Sequence, residues 1–140
     1  MSSEEIKQKI KSKINGPTKE DYVNNAEEVL VKNADGEFKN LIYGKMEPTL
    51  LLDYMKINEL IRDKIERKEN ESKFEASKML VKHVFSLENG FFDLLNALVS
   101  IGQIRVANKI MDKIERIQSH NGSVPSSQLT GKSLSGDIMN

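Results

Sequence analysis

A chain of 140 residues has room for one compact domain and some tail, and not for a two-domain enzyme. Its 21 basic residues balance 21 acidic ones to zero formal charge, which removes the global field that non-specific binding to nucleic acid or anionic membrane relies on. With no Cys and only His83 and His120, disulfides, thiolate metal sites, cysteine nucleophiles and imidazole clusters are excluded.

No apolar run approaches the roughly 20 residues of a membrane span, and the lysine-studded start has no apolar signal stretch, so a cytoplasmic location is expected. Lys, Glu, Leu, Ile, Ser and Asn dominate and aromatics are few, a mixture that predicts an all-α domain.

Ser2 to Asn15 spaces Ile6, Ile10 and Ile14 four apart among Lys7, Lys9, Lys11 and Lys13, then stops at Gly16-Pro17. This predicts a short amphipathic helix within an N-terminal arm, residues 1–17, docked loosely because its isoleucine stripe is narrow. Thr18 reads as an N-cap with Glu20 and Asp21 in the first turn, and Tyr22, Ala26, Val29 and Leu30 share a face up to Asn33-Ala34-Asp35-Gly36. From Glu37 the stripe restarts as Phe38, Leu41, Ile42 and Met46. Pro48 opens a helix with Leu51, Leu52 and Met55 on its face, and after Asn58 a separate short helix carries Leu60, Ile61 and Ile65.

Ser72 and Glu75 have capping-box spacing, and Ala76, Met79, Leu80, His83 and Val84 form the stripe behind them. Asn89-Gly90 interrupts the pattern. Phe91, Leu94, Leu95 and Leu98 make the next buried face, ending at Ile101-Gly102. The last predicted helix holds Val106, Ala107, Ile110, Met111 and Ile114. Beyond about Ile117 the composition turns to Gln, Ser, Asn, Gly and Pro, which predicts a disordered tail over residues 118–140.

Catalytic motifs do not assemble. Gly131-Lys132-Ser133 has the end of a phosphate-binding loop, but Ser126 stands where its first glycine belongs and no strand precedes it. Asn70-Glu71-Ser72 and Asn121-Gly122-Ser123 fit a glycosylation sequon without a secretory signal. His83 lies on an apolar stripe with no second histidine near it, as a core-edge residue does. The plentiful carboxylates mix with Lys and Arg at helical spacing, as on solvated faces. No enzymatic activity, cofactor, metal or small-molecule substrate is expected.

The charge is partly segregated by helix. Asp53, Glu59, Asp63, Glu66 and Glu69 follow Pro48, interrupted by Lys56, Arg62, Lys64 and Arg67, whereas Lys39, Lys45, Lys78 and Lys82 lie on the helices before and after. A neutral domain with opposite patches can associate with a copy of itself or with a similar domain.

The stretch Ile42-Tyr43-Gly44-Lys45-Met46-Glu47-Pro48-Thr49-Leu50-Leu51-Leu52-Asp53-Tyr54-Met55 resembles the junction of helices one and two in caspase recruitment domains (CARDs). Ala76 to Val84 is similar to that family's fourth helix. Phe91-Phe92-Asp93-Leu94-Leu95-Asn96-Ala97-Leu98-Val99-Ser100-Ile101-Gly102-Gln103 is similar to its fifth, with a Gly-Gln turn into the sixth. The ordered set covers residues 37–116, although Ile61-Arg62 stands where the family has a Leu-Thr step.

The resemblance implies a six-helix antiparallel Greek-key bundle, the death fold, within residues 18–117, preceded by an extra N-terminal helical segment. It implies a non-enzymatic homotypic interaction module that recruits or regulates caspases or their adaptors in apoptosis or innate-immune signalling. Its partner-binding basic patch would be Lys39, Lys45, Lys78 and Lys82 on helices one and four. The acidic patch would be Asp53, Glu59, Asp63 and Glu66 on helices two and three. The alternative is a small helical nucleic-acid-binding or regulatory protein that uses the lysine-rich N-terminal arm, with strongly salt-dependent binding.

Overall fold

The computed structural model describes residues 2–32 and 36–122, which are helical with short connections and contain no strand. The predicted helix end at Asn33 to Asp35, the Gly131-Lys132-Ser133 tripeptide and residues 123–140 of the predicted tail lie outside the described residues.

Helix α1 (Ser3–Ile14) opens on a complete capping box: the Glu5 N–H donates to Ser2 Oγ at 3.2 Å and the Ser2 N–H to Glu5 Oε1 at 2.9 Å. These bonds hold the exposed Glu5 carboxyl below the usual carboxylate range. The loosely docked arm expected here is not what forms. Ile6 and Ile10 are fully buried and α1 packs against α7 and α8. The reason lies in α7 (Gly90–Ser100), which buries eight of its 11 residues. A helix apolar around most of its circumference needs cover on every side, and the isoleucine stripe supplies one of them. Lys9 and Lys13 are drawn in as well, the first paired with Glu115 at 2.8 Å and the second 5.2 Å from the Tyr22 ring centre.

Helix α2 (Lys19–Glu27) begins after Thr18, whose side chain makes no capping bond. Tyr22 stacks on Phe92 with ring centres 6.1 Å apart. Burial, and secondarily the Glu115 carboxylate, push the Tyr22 phenol pKa up. The helix runs on into a π-helical turn, Glu28–Lys32, whose last carbonyls, as at any helix end, are left for other partners. Side chains of α3 (Gly36–Lys45) take two of them: the Tyr43 hydroxyl donates to the Leu30 carbonyl and Lys39 Nζ to the Val31 carbonyl at 3.3 Å.

Helix α4 (Pro48–Leu52) starts on Pro48 as predicted, where a missing N–H costs nothing, and Leu51, Leu52 and Met55 are buried. The Leu60 N–H donates to Asn58 Oδ1 at 2.8 Å and so caps α5 (Glu59–Glu71). At 13 residues α5 is longer than expected, and its face is narrower. Only Ile65 is buried, whereas Leu60 is 72% exposed. Five residues turn a helix by about 140° beyond a full turn, so Leu60 and Ile65 cannot share a face.

The Ser72 hydroxyl accepts the Glu75 N–H at 3.1 Å at the start of α6 (Lys73–Val84), which buries Ala76, Ser77, Leu80, Val81 and Val84. Met79 and His83 sit half-buried at the edge of this stripe rather than inside it.

The connection from α6 to α7 is tight. A Cβ on Gly90 would lie 2.1 Å from the Val84 carbonyl oxygen. Gly90→Ala is therefore expected to destabilise the fold by about 1–3 kcal/mol, read as a lower urea midpoint with an unchanged slope. At the other end of α7, Gly102 takes φ 87° and lets the Gln103 N–H reach back to the Leu98 carbonyl at 2.8 Å, a Schellman-type stop. The last helix, α8 (Ile104–Gly122), continues past Ile117 to residue 122, so residues 118–122 are helical rather than part of the tail. Val106, Ala107, Ile110, Met111 and Ile114 are buried as predicted.

Helices α5 and α6 form an antiparallel hairpin. Helix α3 packs on α6 and α8, α4 on α5, α6 and α7, α1 on α7 and α8, and α2 on α8. One core runs through all of them.

Candidate interaction surface

The charged side chains divide into those used inside the domain and those left for solvent or a partner. Glu47 pairs with Lys73 at 2.6 Å, and Glu69 Oε1 accepts from the Thr49 N–H at 3.0 Å and hydroxyl at 2.6 Å. These bonds fasten the start of α4 to the α5–α6 junction. At the other end of α4, Arg62 donates to the Leu52 carbonyl at 3.3 Å, to Glu66 at 3.2 Å and to Asp53. The two carboxylates hold the Arg62 guanidinium pKa above its usual value.

Of the four acidic residues singled out from the sequence, Asp53 and Glu66 thus share one guanidinium across the α4–α5 corner. Glu59 and Asp63 lie one turn apart on α5, exposed, and form no ion pair among the described residues.

The basic residues separate similarly. Lys39 and Lys45 are six positions apart, so their side chains leave α3 about 120° from each other. Lys39 is engaged by Val31, whereas Lys45 is exposed and lines an open groove of ≈ 670 Å³ with Gly102, Gln103, Ile104, Arg105 and Val106. Gln103 Nε2 donates to the Lys45 backbone carbonyl at 2.6 Å and ties the two walls of that groove together. Lys78 and Lys82 stand one turn apart on α6, half-buried and exposed respectively. The structure therefore brings Glu59 next to Asp63 and Lys78 next to Lys82, and separates Lys39 from Lys45.

Sequence reading missed the apolar part of this surface. Among the described residues the exposed large hydrophobics are Leu41 (44%), Leu50 (52%), Tyr54 (59%) and Leu60 (72%). Three of them belong to the α4–α5 corner, where the Arg62 bonds hold the first turn of α5 beside the end of α4. The available signal was spacing: Leu50 and Tyr54, one turn apart, fall off the Leu51, Leu52 and Met55 stripe. Arg105 was missed because it is an isolated charge in the sequence, and only the chain reversal at Gly102 sets it beside Lys45.

No cluster of His, Asp and Glu among the described residues has the arrangement of a metal site. No helix among the described residues is long and apolar enough to cross a membrane. Compared with known proteins, the chain matches no protein-family model, no curated protein and no solved structure.

Proposed function

We propose that this chain is a non-enzymatic, homotypic protein–protein interaction module of the caspase-recruitment kind. It docks onto a second copy of itself and onto like domains in the cytoplasm, and so recruits or regulates a caspase or its adaptor in apoptotic or innate-immune signalling. The observation that carries this reading is the order of helix pairing. Helix α3 meets α8, α4 meets α7 and α5 meets α6, alongside a closer pairing of α3 with α6; the first three pairings are those that a nested six-helix Greek key would make. The pairing spans the same part of the chain as the sequence resemblance. Helices α1 and α2 are then additions laid over α7 and α8.

Charge placement adds support. The basic patch, Lys39, Lys45, Lys78 and Lys82, belongs to two helices that pack together, α3 and α6, and the acidic patch, Asp53, Glu59, Asp63 and Glu66, to the α4–α5 corner. With Lys39, Asp53 and Glu66 engaged internally, docking falls mainly to Lys45, Lys78 and Lys82 on one side and to Glu59 and Asp63 on the other.

Reversing Glu59 and Asp63 to Lys is expected to weaken self-association at least about tenfold, because like charges then meet across the contact. The melting temperature should hardly move, since exposed charges contribute little to stability. Sedimentation velocity beside thermal circular dichroism reads both quantities. Unchanged association would sink the acidic side of the proposal.

A further inference from the structure

We propose that the α4–α5 corner of one copy seats in the groove between α3 and the start of α8 of a second copy. Leu50, Tyr54 and Leu60 would lie against Leu41, and Glu59 and Asp63 against Lys45 and Arg105. This rests on the homotypic reading and names the receiving surface, which that reading leaves open between α3 and α6.

Complementarity carries the assignment. The corner is apolar with an acidic rim: three of the four large exposed hydrophobics among the described residues, with Glu59 and Asp63 beside Leu60. The groove is basic, and an exposed hydrophobic stands near it. Lys45 and Arg105 line it, and Leu41 lies one helical turn from Lys45 as the fourth exposed hydrophobic. Large exposed hydrophobics near one chain turn are candidates for a contact surface, and tyrosine is a frequent energetic anchor in such contacts. Helix α8 begins in the groove wall, and the peptide N–H groups of its first turn add positive partial charge there. The Lys78 and Lys82 pair on α6 offers charge without an exposed large hydrophobic on the same helix. It can steer encounter but has less apolar surface to bury.

Each copy carries both a corner and a groove, so the contact is heterologous: two different surfaces meet. A copy with a defective corner keeps a working groove, and the reverse, which gives a complementation test. Sedimentation velocity on the full chain would compare the wild type with a corner variant (Tyr54→Ser with Leu60→Ser), a groove variant (Lys45→Glu with Arg105→Glu) and an α6 variant (Lys78→Glu with Lys82→Glu). Circular dichroism would verify that each retains its helicity.

The corner and groove variants are each expected to lose more than about 30-fold in association constant, and the α6 variant no more than about threefold. Mixing the corner and groove variants is expected to give a one-to-one complex. If the groove variant associates like the wild type while the α6 variant does not, the groove assignment falls and the homotypic reading stands with α6 as receiver. If the wild type itself shows no self-association, both fall. A corner variant that associates like the wild type overturns the apolar anchor.

Discussion

Replacing Ile6 and Ile10 together by Ala is expected to lower the free energy of unfolding by about 4 kcal/mol or more, measured by urea denaturation followed through helical circular dichroism. Each isoleucine is fully buried, and truncating one such side chain costs about 2–5 kcal/mol through lost burial and the cavity left behind. The two sit one turn apart against the same neighbours, so the double change falls short of strict additivity. Even so, the loss is a large share of the stability of a domain this size, about 5–15 kcal/mol. A loosely docked arm would respond by less than about 0.5 kcal/mol, as surface substitutions do. The measurement therefore decides whether α1 is a wall of the core, and with it whether the lysines beside it are free to act as a nucleic-acid arm.

Phe92→Ala tests the same architecture from the inside. The ring is fully buried, stacks on Tyr22 of α2 and lies 5.7 Å from Phe91. It is thus the point where the added helix α2 meets the central helix α7. Removing a buried Phe costs about 3–5 kcal/mol, and the loss of the aromatic pair contributes to the upper part of that range. A drop below about 1 kcal/mol in the same urea experiment would mean that α2 rests on α7 without sharing its core. Tyr22 also explains why the site is sensitive: its hydroxyl is buried without a hydrogen-bond partner among the described residues. The cost of that desolvated group is offset by the packing of its ring, which depends on Phe92.

Local chemistry made much of the helix order legible. Pro48, Asn58, Ser72 and Asn89-Gly90 each stand at a boundary whose backbone they suit, and the stripes of α6, α7 and α8 turn their predicted leucines, isoleucines and valines inward. What escaped reading is tertiary. The isoleucines of α1 look too few to anchor a helix until α7, apolar nearly all round, is placed beside them. Leu60 looks like core because it precedes Ile61 and Ile65, but the angle between Leu60 and Ile65 turns it to solvent. Residues 118–122 have a loop-like composition, yet they continue a helix already nucleated over four turns, where propagation is easy. The π-helical turn at Glu28–Lys32 has no sequence signature of its own, and the bonds that Tyr43 and Lys39 make to its carbonyls come from α3, a separate helix.

For the candidate surface, the eight charged residues were visible one by one, but their partners were not. Arg62 lies at helical spacing from Glu66, and that bond is foreseeable. Its reach to Asp53 and the Leu52 carbonyl requires the turn between α4 and α5. The same turn converts Leu50, Tyr54 and Leu60 from scattered apolar residues into one corner.

The most direct test of the homotypic account is the sedimentation of the full chain over a range of concentrations at low and at high salt, with the Glu59→Lys, Asp63→Lys variant alongside. The account predicts reversible self-association of the wild type that weakens as salt screens the charged rim, and a variant that stays monomeric at concentrations where the wild type associates. A wild type that remains a single monomeric species at every concentration and both salts would contradict it.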